Sequence, residues 1–407
     1  MTPEQMLSSM LEELGGVSDE PDKLTRTFLS PAMERAVQLV GSWMQDVGLD
    51  VHVDKLGNLR GRREGPAGSR TLLLGSHLDT VRDAGRFDGA LGVLLPIAAL
   101  YDLNRRQLEL PFGIEVVGFS EEEGVRFASA YLGSEGFTGR LKPASLDLRD
   151  AAGITVRQAL EEFGGPFRFP APAYRRDELL GYVEVHIEQG PVLEAEGLAV
   201  GVVSGIAGQS RFQLTWTGKA GHAGTTPMTL RRDALAGAAE FALAVEAVAK
   251  RTKGLVATIG ILQVAPGAAN VIPGEVAHTL DVRHAKDAVR KRALLELGRA
   301  AARIARARRL KTAWKRTQED AAVACSPALT SQLERSVRAV QGKSLSLVSG
   351  AGHDAVVLSK LTDVAMLFVR CRDGLSHHPA EHASSRDLRR ALEVMADFLE
   401  RMRQGAS

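Results

Sequence analysis

Short apolar runs alternate with segments of helical spacing along most of the chain. Across residues 31–47 (PAMERAVQLVGSWMQDV), Met33, Val37, Val40 and Trp43 recur near one face, which predicts an amphipathic helix. Residues 50–61 predict an alternating strand pair, 71–74 a short apolar strand, and 90–103 an apolar helix. GIEVVGF (113–119), YVEVHI (182–187) and VAMLFV (364–369) predict further strands, and 385–403 a final helix. Continuous apolar strands separated by helices belong to a mostly parallel or mixed sheet covered on both faces.

The middle of the chain is patterned differently. RFQLTWT (211–217) alternates, 232–250 is an Ala-rich helix, 255–264 and EVAHTLDVR (275–283) are strands around a Pro/Gly turn, 285–309 is a long helix, and 310–317 is a last strand. The order β-α-β-β-α-β is that of a ferredoxin-like unit. The expected architecture is therefore α/β: a mixed sheet covered by helices, built from residues 1–209 and 320–407, with an α+β ferredoxin-like domain inserted at 210–319. No repeats or low-complexity tracts interrupt this plan.

Composition changes the picture little. A chain of 407 residues is long for one domain, and 44% hydrophobic with 25% charged residues is ordinary for a soluble protein. A formal net charge of +2 gives no reason to expect nucleic acid or an anionic membrane as partner. The basic run 303–309 fits the solvated face of a helix. Two cysteines, Cys325 and Cys371, make no disulfide framework and suit a reducing compartment. Residues 1–16 lack a signal-peptide pattern and no apolar run approaches a membrane span, so the expected location is the cytoplasm.

Chemistry concentrates where strands stop. TLLLGSHLD supplies His77 and Asp79, GIEVVGFSEEEG supplies Glu121, Glu122 and Glu123, YVEVHIEQG supplies His186, Glu188 and Gln189, and VAMLFVRCRDGLSHHP supplies His377 and His378. Ligand crevices of open α/β sheets lie beyond the carboxyl ends of strands. Imidazole and carboxylate suit Zn²⁺, Mn²⁺ or a similar divalent ion, and no thiolate site is available. Asp88, in the turn FDG, can bridge two ions, and His77, His186, Glu123 and His377 can fill the two sites. Such a pair activates a bridging water and clamps both oxygens of a hydrolytic transition state. Of the consecutive carboxylates in SEEEG, one can bind metal while its neighbour serves as general base. Asp79 is placed to orient the imidazole of His77 from behind.

Taken in order, GSHLDT, FDG, SEEEGVRF, HIEQGPVLE, GKAGHAGTTPM and GLSHHPAE resemble the motifs of the ureido-amidohydrolase group of dinuclear metallopeptidase-like enzymes, over about residues 30–390. That group includes allantoate amidohydrolases, N-carbamoyl-L-amino-acid hydrolases and β-ureidopropionases. The resemblance implies a catalytic domain with a smaller dimerisation or lid domain, two divalent metal ions (Zn or Mn) per subunit, and a homodimer. It implies that His77, Asp88 and His186 hold one ion, that Asp88, Glu123 and His377 hold the other, and that Glu122 is the general base. It further assigns Gln189 to the ureido group, His222 to the developing oxyanion, Asn270 and Arg283 to the substrate carboxylate, and Gly352 to close backbone approach. A guanidinium fork suits a carboxylate.

Two features depart from the group's pattern. The run Ser376-His377-His378-Pro379 carries an extra histidine, so either imidazole could be the ligand; alignment to Pro379 selects His377. The turn Arg82-Asp83-Ala84 is charged where many carbamoylases have an uncharged, Gly-containing turn, closer to allantoate amidohydrolases. The expected reaction is hydrolysis of a ureido C–N bond in a small carboxylate substrate, with allantoate ahead of N-carbamoyl amino acids. An aminoacylase or dipeptidase, and a non-catalytic binder on the same scaffold, are the alternatives.

Overall fold

Seven consecutive buried residues, Thr71–His77, form an inner strand of the larger of two units. The computed structural model describes residues 1–405. One unit comprises Met1–Ser204 with the chain from Cys325 onward, and the other comprises Gly205–Ala324. Among the described residues no helix is long and apolar enough to cross a membrane.

In the larger unit the strands run in the order Asp50–Val53, Leu59–Arg63, Gly113–Phe119, Thr71–His77, Leu179–Ile187, Val364–Val369 and Val200–Ile206, with Ser346–Ser349 also on the last of these. The four strands from Gly113–Phe119 to Val364–Val369 are mutually parallel, while Asp50–Val53 on Leu59–Arg63, Leu59–Arg63 on Gly113–Phe119 and Val200–Ile206 on Val364–Val369 are antiparallel. His77 lies level with Phe119, and Val369 with Ile187. Four carboxyl ends therefore reach one edge of the sheet, where a crevice is expected. This is the mixed α/β plan the hydrophobic pattern predicts.

Helices fix that edge from behind. Ala90–Arg105 buries twelve residues, as expected of a helix apolar on all sides. Gly92 lets it close on the sheet, because a Cβ there would meet the Val185 carbonyl oxygen at 2.3 Å. Ser385–Gly405 buries Leu388, Leu392, Met395 and Leu399 along one stripe of the same core. Among the described residues, the longest helices without a counterpart in the pattern of apolar positions are Pro3–Gly15 and Pro327–Gln341; the shorter Leu132–Phe137, Val156–Gly164, Val192–Ala195 and Asp354–Leu358 have none either. The first is marked by its start, where N-cap Thr2 and Gln5 of the first turn form a capping box.

The inserted unit is an antiparallel sheet in the order Leu262–Ala265, Glu275–His284, Gly208–Thr217 and Lys311–Asp320, with Val256–Thr258 also on Glu275–His284. The single strand expected at 255–264 is thus two short ones, parted around Gly260. Burial alternates along Glu275–His284, and the buried positions meet the helices Ala234–Arg251 and Asp287–Arg308 in a core around Trp216, Phe241, Leu280 and Leu297. Helix, strand order and alternation together give the ferredoxin-like unit.

Candidate metal centre

His77 closes its strand, and Asp79 holds it from behind. Its Nδ1 lies 3.0 Å from the Asp79 carbonyl oxygen and 3.4 Å from the Asp79 carboxylate. Nε2 is left to face Asp88 Oδ1 at 3.5 Å. The same Asp79 carboxylate accepts the backbone N–H of Glu122 and of Glu123, each at 3.0 Å. One buried carboxylate thus orients an imidazole and sets the acidic turn of the neighbouring strand, which is how outer partners position metal ligands.

Asp88 is the centre of the cluster. Its Oδ1 is 3.1 Å from His186 Nε2, and its Oδ2 is 3.3 Å from His377 Nε2. The Gln189 amide donates to Oδ2 at 2.8 Å, and the Ser376 hydroxyl lies against the same oxygen. Glu381 anchors the turn by accepting the N–H of Phe87 and of Asp88 at 2.9 and 3.1 Å. Gly89 has φ 65°, and a Cβ on it would stand 2.4 Å from the His77 ring. The FDG turn therefore needs glycine twice over, for its backbone and for the imidazole beside it. His186 turns Nδ1 to the Ile187 carbonyl at 2.9 Å, and Glu123 Oε1 is 3.4 Å from His377 Nε2.

The charges are strongly coupled. Burial alone would raise the Asp88 carboxyl, but His186, His377 and His77 hold it well below the usual range. Burial opposes protonation of His77, yet Asp79 and Asp88 carry it well above the usual imidazole value. The hydrogen bond to Asp88 lifts His377 to about 9. Burial, then Asp88, lifts Glu123 to about 7. Burial raises Glu122 well above normal, against the pull of His77 and with help from Glu123 and Asp354.

Three overlapping triads have donor atoms within 4.8 Å of one another: His77, Asp88 and His186; Asp88, Glu123 and His377; and His77, Glu122 and Glu123. The donors are imidazole nitrogen and carboxylate oxygen, the set that suits a borderline divalent ion. At His77 and His186, Nδ1 faces a carbonyl and Nε2 converges on Asp88. The two Asp88 oxygens divide between the first two triads. The residues present fit a divalent metal.

The remaining candidates are distributed as follows. His378 accepts the N–H of Ala380 at 3.1 Å within its own turn, whereas His377, with φ 56°, is the imidazole that reaches Asp88 and Glu123. Gln189 also has positive φ, 54°, and its buried Oε1 has no hydrogen-bond partner. Glu188 accepts the N–H of Val192 and Leu193, each at 2.9 Å. At Gly352 a Cβ would lie 1.9 Å from the Tyr131 hydroxyl. Arg82-Asp83-Ala84 is tied to the N-terminal segment: Asp83 N–H donates to Thr25 Oγ1 at 3.1 Å, and its exposed carboxylate faces Lys23 at 3.6 Å.

His222, Asn270 and Arg283 belong to the inserted unit. His222 pairs with Val271 across a two-stranded ribbon, and Ala223 N–H donates to the Asn270 carbonyl at 2.9 Å. Arg283 lays its fork on Asp281, with two contacts of 2.9 Å.

The model of peptidase family M20/M25/M40 matches residues 73–401. The chain belongs to this family. An allantoate deiminase of Arabidopsis thaliana is 43% identical over 96% of this M20-family chain and 81% of its own length. An N-carbamoyl-L-amino acid amidohydrolase of Geobacillus stearothermophilus is 41% identical, covering 98% of this chain and 99% of its own. Among solved structures, a hydantoinase/carbamoylase-family amidase of Burkholderia multivorans superposes with a TM-score of 0.93 at 35% identity, over 98% of both chains.

Sequence reasoning passed over Ser376 and Glu381, which brace Asp88, and over Glu184, which is fully buried and accepts the Ser76 hydroxyl at 2.7 Å and Ala355 N–H at 3.0 Å. The first two lie inside the motif GLSHHPAE. Glu184 carried a readable signal, a carboxylate inside an otherwise apolar strand.

Proposed function

We propose that this chain is a metal-dependent amidohydrolase that cleaves a ureido C–N bond, with allantoate as its substrate and ammonia as a product. The observation that carries this reading is the convergence on Asp88 of three imidazoles, with Glu122 and Glu123 beside it. The allantoate deiminase relative supports the choice of substrate. We assign His77, Asp88 and His186 to one divalent ion and Asp88, Glu123 and His377 to a second, zinc or manganese, in a cytoplasmic homodimer.

Bound ions would supply Lewis acidity and make a water nucleophilic near neutral pH. Glu122 takes the proton of the attacking water as the new C–O bond forms at the carbamoyl carbon. It returns that proton to the nitrogen as the C–N bond breaks. A carboxyl whose proton affinity is raised by burial suits both steps. Asp79 keeps His77 turned and the Glu122–Glu123 backbone in place. We assign oxyanion stabilisation to His222, the ureido group to Gln189, the substrate carboxylate to Asn270 and Arg283, and close backbone approach to Gly352. The Asp281 contact fixes the orientation of the Arg283 guanidinium and occupies its Nε and Nη2.

The Geobacillus stearothermophilus relative favours a second reading, hydrolysis of N-carbamoyl-L-amino acids. Turnover decides between them, read as ammonia release on allantoate, N-carbamoyl amino acids and N-carbamoyl-β-alanine and as freed amino acid on dipeptides, with protein reloaded with Mn²⁺ or Zn²⁺. Turnover is expected to be highest on allantoate. Preference for a carbamoyl amino acid would select the second reading, and turnover of dipeptides alone would overturn both.

A further inference from the structure

On the larger unit, away from the residues assigned above, three arginines line one cavity of ≈ 220 Å³: Arg370, Arg386 and Arg390. Among the described residues Asp387 is the only acid on its wall, and it is already committed. Arg370 grips it through Nε and Nη2 at 3.0 and 2.8 Å, and the Ser384 hydroxyl donates to it at 2.6 Å. Arg390 donates to Glu393 at 2.7 Å, a pair in which both side chains are about two-fifths exposed (41% and 38%). Arg386 has no side-chain acceptor among the described residues. It also sits one turn from Arg390, a spacing at which like charges repel. Both arginines lie in the first turns of Ser385–Gly405, whose amino end adds further positive potential.

We propose that this cavity is an oxyanion site for a phosphate or small carboxylate, distinct from the metal centre. Its volume lies below the ~300–1,000 Å³ of pockets for drug-sized ligands, so the occupant is small. Guanidinium forks are the side chains that bind such groups in bidentate fashion. The site also abuts the segment that shapes the metal centre. The Arg370–Asp387 clasp and the Ser384 cap tie together the two ends of the loop that carries Ser376, His377 and Glu381. An oxyanion beside Arg370 steadies that clasp from outside.

The test is the thermal midpoint of the metal-loaded full chain, titrated with inorganic phosphate against chloride at matched ionic strength. Wild type is compared with the double variant Arg386→Gln/Arg390→Gln. Phosphate is expected to raise the wild-type midpoint saturably, and the apparent affinity should weaken by at least about tenfold in the variant, as for loss of a charge-assisted hydrogen bond. Amide exchange across residues 370–384 should slow with phosphate in wild type only. The variant should keep wild-type metal content and phosphate-free turnover, which shows that it is folded. An identical phosphate response in both proteins, or none in wild type, would overturn the proposal.

Discussion

His77 and His278 are almost equally buried, at 2% and 1% exposed, yet their surroundings are opposite. His77 sits at a sheet edge between Asp79 and Asp88, and those acids overcome burial to hold its proton tightly. His278 sits in the core of the inserted unit, where Trp216 Nε1–H donates to its Nε2 at 2.9 Å and Phe241 lies 5.7 Å from its ring. Its Nδ1 is 3.2 Å from the Thr279 carbonyl, and burial lowers its proton affinity. Both ring nitrogens of His278 are thus occupied by the fold itself. At the sheet edge the Nε2 atoms of His77, His186 and His377 instead converge on one carboxylate, Asp88. Burial of a histidine is common to both places; converging donors distinguish the candidate metal site.

The largest break in that contrast comes from Asp88→Asn. Removing the shared carboxylate charge should abolish metal binding in both triads and take turnover to background, whereas His278→Gln should leave metal content unchanged. Metal analysis and ammonia release check this, and full metal content in Asp88→Asn would remove Asp88 from its bridging role. Next in size is Glu122→Gln, which should retain metal but lower turnover about 10²–10⁴-fold, the range for losing a general base. Loss of metal in that variant would make Glu122 a ligand. Smaller again is Asp79→Asn. It keeps the shape but loses the charge facing His77 and one acceptor for the Glu122–Glu123 turn. Metal affinity should fall roughly 10–100-fold, as for other outer partners of metal ligands, read by competition with a chelating dye.

The two regions were also unequally legible. The sheet edge showed through because the inner strands are mostly apolar, so a histidine or acid at or just past their carboxyl ends stands out. The ferredoxin-like order was readable from alternation, since Glu275–His284 buries every second residue. Bracing of the metal centre was not readable, because its hydrogen bonds join residues far apart: Glu381 reaches Asp88 across 293 positions. Nor could sequence show that His278 faces an indole N–H rather than solvent or a ligand. Its partner Trp216 becomes a neighbour only through strand register, in which His278 pairs with Leu214. Ser346–Ser349 escaped for another reason. It is a mostly exposed edge strand, with no apolar run to announce it.

The smallest effect sharpens the comparison at its other pole. His278 has a lower proton affinity in the folded chain than the ordinary histidine value of 6.5. Between the two values the unfolded chain binds a proton that the folded one refuses, so stability falls as pH falls. The contribution is complete above 6.5 and is lost progressively below it, with a slope of at most about 1.4 kcal/mol per pH unit. His278→Gln keeps an acceptor for Trp216 but cannot titrate. Amide exchange in the strand Gly208–Thr217 should therefore accelerate between pH 6.5 and 5 in wild type, and by a smaller factor in the variant, after correction for intrinsic exchange rates. Equal acceleration in both proteins would show that protonation of His278 does not limit the unit. In that case the imidazole would be a packing residue whose charge the core tolerates, and the contrast with His77 would rest on geometry alone.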